Sequence, residues 1–156
     1  MFLDYKPPKE LRPLFIIHYA PLLLIIMIGP LSWIYNVWRI PIDMTISIIL
    51  GLIIFFIGTY IYFKWEIFWY KTYKGQLVTG GIFQYTRNPH YTSILVIGFG
   101  LSIFFYSLFA LVIAAIAIPI MIISILDEEK LLKKQYGEDY IQYMKKVPWR
   151  LIPRVF

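Results

Sequence analysis

The sequence has no cysteine and only two histidines, His18 and His90. These absences exclude disulfides, thiol nucleophiles, cysteine-ligated zinc, iron–sulfur clusters and c-type haem, so a protein metal site would need carboxylates as its main ligands. None is expected. Charge is scarce as well: charged residues make up 15% of the 156 positions, against about 25% in an average soluble domain. With 60% hydrophobic residues and a mean hydropathy of +0.68, the chain carries more apolar side chain than one small soluble globule could cover. The expected fold class is an all-α integral membrane protein forming one membrane domain. The formal net charge of +6 comes from basic residues beside apolar runs, which suits anionic lipid headgroups and makes membrane lipids, not nucleic acid, the expected partner.

What is present is long uncharged runs. The charged, proline-containing segment 1–13 leads into a stretch without Lys, Arg, Asp or Glu that ends only at Arg39. That stretch is too long for a signal-peptide core and has no small-residue cleavage site, so it reads as a retained first span over 14–35, kinked by Pro21, Gly29 and Pro30. A second run, Met44 to Phe63, gives a span over 45–63, with Trp65, Trp69, Tyr70 and Tyr73 after it as an interfacial aromatic belt. The third run, Asn88 to Leu126, has 39 positions, about 58 Å as one helix and nearly twice the roughly 30 Å hydrocarbon core. It must fold back, most readily near Tyr106 and Ser107, into a hairpin of spans 91–105 and 108–126, the first of them short. About four spans result. The tail 127–156 spaces Leu132, Tyr136, Tyr140 and Met144 four apart, the pattern of an interfacial amphipathic helix that Gly137 can divide, and Pro148 and Pro153 leave an extended end.

Basic residues set the orientation. Lys6, Lys9 and Arg12 precede span one, Lys64, Lys71, Lys74 and Arg87 lie between spans two and three, and seven more follow span four, leaving Arg39 alone opposite. The positive-inside rule then puts both termini in the cytoplasm. The hairpin crosses twice, so its beginning, Gly80 to Tyr91, and its end, Asp127 to Lys130, return to one interface where their polar residues can meet.

Three constellations can carry chemistry. In Gly80 to Tyr91, Asn88 as N-cap and Pro89 at the first helical position leave free N–H groups at residues 90 and 91, able to hold an anion beside the fork of Arg87. Alternatively, Arg87 only anchors the helix to headgroups. Asp127-Glu128-Glu129 stands at the expected end of span four, unfavourable beside a helix C-terminal dipole unless a cationic ligand, Arg87, Lys130 or Lys133 offsets it. The plainer reading is a solvated helix start with Glu129 and Lys133 as an i,i+4 pair. Gly98-Phe99-Gly100 either lets helices pack closely or leaves a slot for a flat or long ligand. His18, among apolar residues, is expected to serve packing or face headgroups.

Taken in order, Gly81-Ile82-Phe83, Arg87-Asn88-Pro89-His90-Tyr91, Gly98-Phe99-Gly100, Glu128-Glu129, Tyr136-Gly137-Glu138-Asp139-Tyr140-Ile141-Gln142-Tyr143 and Val147-Pro148 resemble the isoprenylcysteine carboxyl methyltransferase and phospholipid methyltransferase superfamily. The match covers about half the chain, Leu77 to Pro153. The resemblance implies S-adenosylmethionine bound at the cytoplasmic face and converted to S-adenosylhomocysteine, with a lipophilic or lipid acceptor entering from the bilayer. It implies cofactor contacts from Gly81, Arg87, Asn88, His90, Tyr91, Gly98, Gly100, Glu128, Glu129 and Tyr140, and catalytic duty for Arg87, Glu129 and Lys146. The cofactor's carboxylate would meet Arg87 and the helix N-terminus, and its ammonium and sulfonium the acids. Asn88 stands where the family often has His, so a direct His contact does not carry over to it, and His90 is no automatic substitute. Lys146 replaces an Arg, keeping the charge without the two-pronged fork that suits a carboxylate acceptor. The alternatives are an NADPH-dependent reductase, since Val147-Pro148-Trp149-Arg150-Leu151-Ile152-Pro153 resembles the tail of the much longer membrane sterol reductases, and a non-enzymatic four-span protein.

Overall fold

The computed structural model describes residues 12–155, with side chains from His18 onward. Lys6 and Lys9 lie outside the described residues. Among the described residues five α-helices carry the fold: α1 (Arg12–Tyr35), α2 (Met44–Thr72), α3 (Pro89–Phe104), α4 (Leu108–Tyr136) and α5 (Glu138–Lys146), with a 3-10 turn at Gly81–Gln84 before α3. Among the described residues there is no strand, so the protein is an all-α integral membrane protein. Helices α1, α2 and α4 are long and apolar enough to cross a membrane; α3, with 16 residues and a length of about 24 Å, is shorter.

The helix starts follow from local chemistry. Asp43 caps α2 with one carboxylate oxygen that accepts from the amides of Thr45 (2.9 Å) and Ile46 (3.1 Å), and its charge also complements the positive end of the helix. The hairpin between α3 and α4 turns at Tyr106, whose φ of 54° is left-handed, and Ser107, whose Oγ accepts from Ala110 N at 3.1 Å. The turn is tied to the α1–α2 connection: Leu108 N donates to Trp38 O (2.8 Å), Tyr106 OH donates to Ile42 O (2.5 Å), and the hydroxyls of Ser107 and Ser32 pair at 2.7 Å. One end of the hairpin is therefore pinned to α1 and α2.

Helix α3 packs against α1, α2 and α4. Its contact with α2 depends on missing side chains: a Cβ on Gly51 would lie 2.2 Å from Phe104 N, and one on Gly100 would lie 2.5 Å from Phe55 N. Backbones approach this closely in membranes because small residues let van der Waals packing drive association. Outward faces carry Leu23, Met27 and Ile34 on α1, Ile53 and Phe56 on α2, and Ile116 and Ile123 on α4, all exposed. Such a surface is a liability in water and natural against lipid tails.

Two helices outrun the uncharged segments from which their spans were drawn. Helix α2 continues past Phe63 to Thr72, and α4 continues past Leu126 to Tyr136. Asp127, Glu128 and Glu129 therefore stand within α4 and not at its C-terminus, so the expected clash with a helix end does not arise. Charge ends a membrane-crossing segment, but it does not end a helix whose backbone hydrogen bonds continue through Leu131 and Leu132. Gly137, with φ of 55°, is the break, and α5 begins after it.

Candidate functional site

The extended ends of α2 and α4, with α5 and the N-terminus of α3, enclose a cavity of about 720 Å³. That lies within the roughly 300–1,000 Å³ typical of small-molecule sites. Trp65 and Trp69 on α2 and Tyr73 at its C-cap, four residues apart, place three rings toward it. The rings of Trp69 and Tyr73 stack at 4.4 Å and 11°, and those of Trp65 and Trp69 lie 6.5 Å apart at 25°. These aromatics, expected as an interfacial belt, form one wall of the cavity.

The opposite wall is polar where α3 meets α4. Glu129, 3% exposed, accepts from Arg87 Nη2 at 2.5 Å and from Arg150 Nε at 3.1 Å, while its second oxygen accepts from Arg150 Nη2 at 3.2 Å. One carboxylate thus joins α4, the approach to α3 and the C-terminal segment. Arg87 also donates from Nη1 to Val147 O (2.8 Å), and its Nε is buried with no hydrogen-bond partner among the described residues. Beside this cluster Glu128 accepts from Tyr91 OH at 3.0 Å. The expected i,i+4 pair of Glu129 with Lys133 is replaced by these arginines, and Lys130 pairs with Asp127 at 2.8 Å on the surface.

Asn88 sits at the N-cap position of α3, but its side chain does not cap the helix. Its Nδ2 donates to Arg150 O at 3.0 Å, and the hydroxyls of Thr86 and Thr92 donate to Arg150 O (2.8 Å) and Leu151 O (2.7 Å). The segment 147–151 is stitched to the start of α3 in this way. Tyr143 OH donates to Phe83 O at 2.8 Å, and burial raises the phenols of Tyr140 and Tyr143 above the ordinary tyrosine value, Glu129 adding to the effect at Tyr140. Both therefore remain protonated donors.

Of the residues to which the resemblance gives cofactor or catalytic roles, Arg87, Asn88, His90, Tyr91, Glu128 and Tyr140 border the cavity. The others do not. Glu129 lies behind Arg87; Lys146 is exposed at the end of α5; Gly81, at φ of 58°, packs on the Phe68 ring; Gly98 faces Ile25; and Gly100 faces the α2 backbone. For Gly98 and Gly100 helix contact takes the place of a ligand slot. Sequence reasoning missed His18, Trp65, Glu66 and Trp69 on the cavity wall and Arg150 in the ion cluster. His18 sets its ring 4.8 Å from that of Tyr91, and His90 packs on Trp65 at 4.3 Å while its Nε2 lies 3.1 Å from Tyr19 OH. The fourfold spacing of Trp65, Trp69 and Tyr73 was the available signal for the aromatic wall. No periodicity marks Arg150, which follows Pro148 in irregular chain.

Residues 43–139, which include α2, the hairpin and the acids of α4, match the phospholipid methyltransferase family. The chain belongs to that family. The family lies within the superfamily of integral membrane methyltransferases that also includes the isoprenylcysteine carboxyl methyltransferases, whose members generally use S-adenosylmethionine. A stretch of 22 residues is also 59% identical to the Delta(14)-sterol reductase of Methylotuvimicrobium alcaliphilum. That likeness covers 14% of this chain and 5% of the reductase, so the chain spans a small part of that relative's length.

Proposed function

We propose that this methyltransferase binds S-adenosylmethionine in the cavity between α2, α3, α4 and α5 and transfers its methyl group to a lipophilic acceptor, by carboxyl O-methylation or phospholipid N-methylation. The observation that carries the reading is the joint presence, on one cavity wall, of Arg87 with an unpartnered Nε and Glu128 on α4. This donor set fits a zwitterion. Arg87 Nε and the amides at the start of α3 suit the cofactor carboxylate, and Glu128 suits the ammonium. Trp65, Trp69 and Tyr73 offer flat faces for a purine and π-density for a sulfonium. When bound, the cofactor supplies an electrophilic methyl group on sulfur. The protein's part is to align the acceptor with that carbon and keep water out, for which an aromatic, largely apolar cavity is suited. No covalent nucleophile is needed, in keeping with a chain without cysteine.

The tail 127–156 completes the cofactor pocket in this reading, through Glu128, Tyr136, Tyr140 and Tyr143. Both termini and the cavity face the cytoplasm, where the basic residues concentrate and the cofactor is supplied from water, while the acceptor arrives from the bilayer. Glu128→Gln should lower S-adenosylmethionine affinity roughly tenfold or more, the usual worth of a charge-assisted hydrogen bond, while the amide oxygen still accepts from Tyr91 and keeps the fold. Calorimetric titration of purified protein checks this. Unchanged affinity would remove Glu128 from the site.

A further inference from the structure

After Asp139 the chain holds four basic residues, Lys145, Lys146, Arg150 and Arg154, and no acid. Arg150 is bound to Glu129, whereas Lys145, Lys146 and Arg154 are exposed and pair with no carboxylate among the described residues. The same segment exposes apolar groups. Ile152 and Val155 are 54% and 72% exposed, and Val155 N donates to Ile152 O at 3.1 Å, closing a tight turn with these two residues at its ends. Their depth is set by Leu151 beside them. Leu151 is buried against Tyr91, Ile94, Met121 and Ile125, and its carbonyl accepts from Thr92 Oγ1 at 2.7 Å. Met121 and Ile125 belong to the uncharged run of α4, before Asp127, so the turn stands where the bundle leaves the hydrocarbon. Apolar side chains at that level with unpaired cations nearby match a lipid interface, whose acyl region takes the one and whose headgroups take the other. A second copy of the chain would bring the same positive charge and repel it. An anionic leaflet attracts it, by roughly fivefold in affinity for each Lys or Arg.

This surface is joined to the cavity through backbone. Val147 O accepts from Arg87 Nη1 (2.8 Å), Trp149 O accepts from Arg87 N (3.0 Å), and Arg87, Tyr140 and Tyr143 border the cavity. We infer that Lys145, Lys146 and the turn 152–155 dock on an anionic lipid surface, and that this docking holds segment 147–151 against the start of α3 and closes that side of the cavity. The docking stands apart from the methyltransferase reading; only its effect on a cofactor rests on that reading.

The test places the full chain in nanodiscs of phosphatidylcholine alone or of an equal mixture with phosphatidylglycerol. Amide hydrogen exchange is followed over 149–155 and at Arg87, whose N–H reports the bond to Trp149, and S-adenosylhomocysteine affinity is measured by calorimetry. Phosphatidylglycerol should slow exchange at both places roughly fivefold or more and tighten S-adenosylhomocysteine binding by a similar factor. Lys145→Gln combined with Arg154→Gln should remove most of these effects while leaving exchange and affinity in phosphatidylcholine alone unchanged, which also shows that the variant is folded. Equal exchange of 149–155 in the two lipids, or the full effect of phosphatidylglycerol in the double variant, would overturn the docking. Equal protection by dissolved glycerol phosphate over phosphatidylcholine would assign the cations to a free anion and overturn it too. Slowed exchange in 152–155 with none at Arg87 would overturn the link to the cavity, as would slowed exchange without tighter S-adenosylhomocysteine binding. Failure to bind S-adenosylhomocysteine in either lipid counts against the methyltransferase reading alone, because exchange is read without it.

Discussion

Glu129→Ala should destabilise the protein by about 3–5 kcal/mol, the usual cost of removing one partner from a buried ion pair. The reason is what the substitution leaves behind. Arg87, with a side chain 3% exposed, would remain charged and buried, and Arg150 would lose both of its bonds to the carboxylate. The links holding segment 147–151 to α3 would be weakened with it. A thermal scan in mild detergent, followed by tryptophan fluorescence, should show the midpoint falling by on the order of 10 °C. An unchanged midpoint would mean that this cluster does not hold the two ends of the hairpin together. Glu129→Ala is accordingly a stability variant, and Glu128→Gln is the cleaner probe of ligand binding.

A comparable loss is expected where α2 meets α3. In Gly100→Ala the new Cβ would lie 2.5 Å from Phe55 N and 2.7 Å from Phe55 Cα, and backbone atoms cannot rotate away as a side chain can. The helices must separate, at a cost of about 1–3 kcal/mol for an overpacked contact, and Gly51→Ala at the Phe104 backbone should add to it. Gly98→Ala is the control, since its Cβ would meet only the terminal Cδ1 of the Ile25 side chain, at 3.3 Å, which can give by a few tenths of an ångström, so it should cost less than Gly100→Ala. Thermal midpoints of the three variants measure the difference. Equal midpoints for Gly98→Ala and Gly100→Ala would contradict close α2–α3 packing as the reason for Gly100.

The membrane class was legible because it depends on how little charge the chain carries, and the hairpin because an uncharged run of 39 positions cannot cross a bilayer once as a straight helix. The meeting of Arg87 with Glu129 followed from the same topology, which returns both ends of the hairpin to one interface. What escaped was set by packing. The charge of Asp127, Glu128 and Glu129 marks where a span leaves lipid but not where the helix ends, since α4 keeps its backbone bonds to Tyr136. Trp65 and Trp69 carry the same signal whether they face headgroups or a cavity, and only the extension of α4 and α5 opposite them decides which. Glu129 and Glu128 are adjacent in sequence, yet the turn of the helix sends one into the ion cluster and the other to the cavity wall. Arg150 and Asn88 meet through the backbone of the C-terminal segment, a pairing that neither motif nor spacing encodes.

The most direct measurement is a calorimetric titration of the purified, folded protein with S-adenosylmethionine, S-adenosylhomocysteine and NADPH. A methyltransferase site bordered by Arg87 and Glu128 predicts saturable binding of the first two, weakened in Glu128→Gln, and none of NADPH. Binding of NADPH alone would move the chain toward the reductase with which it shares 22 aligned residues, and binding of none of the three would contradict the proposed cofactor site.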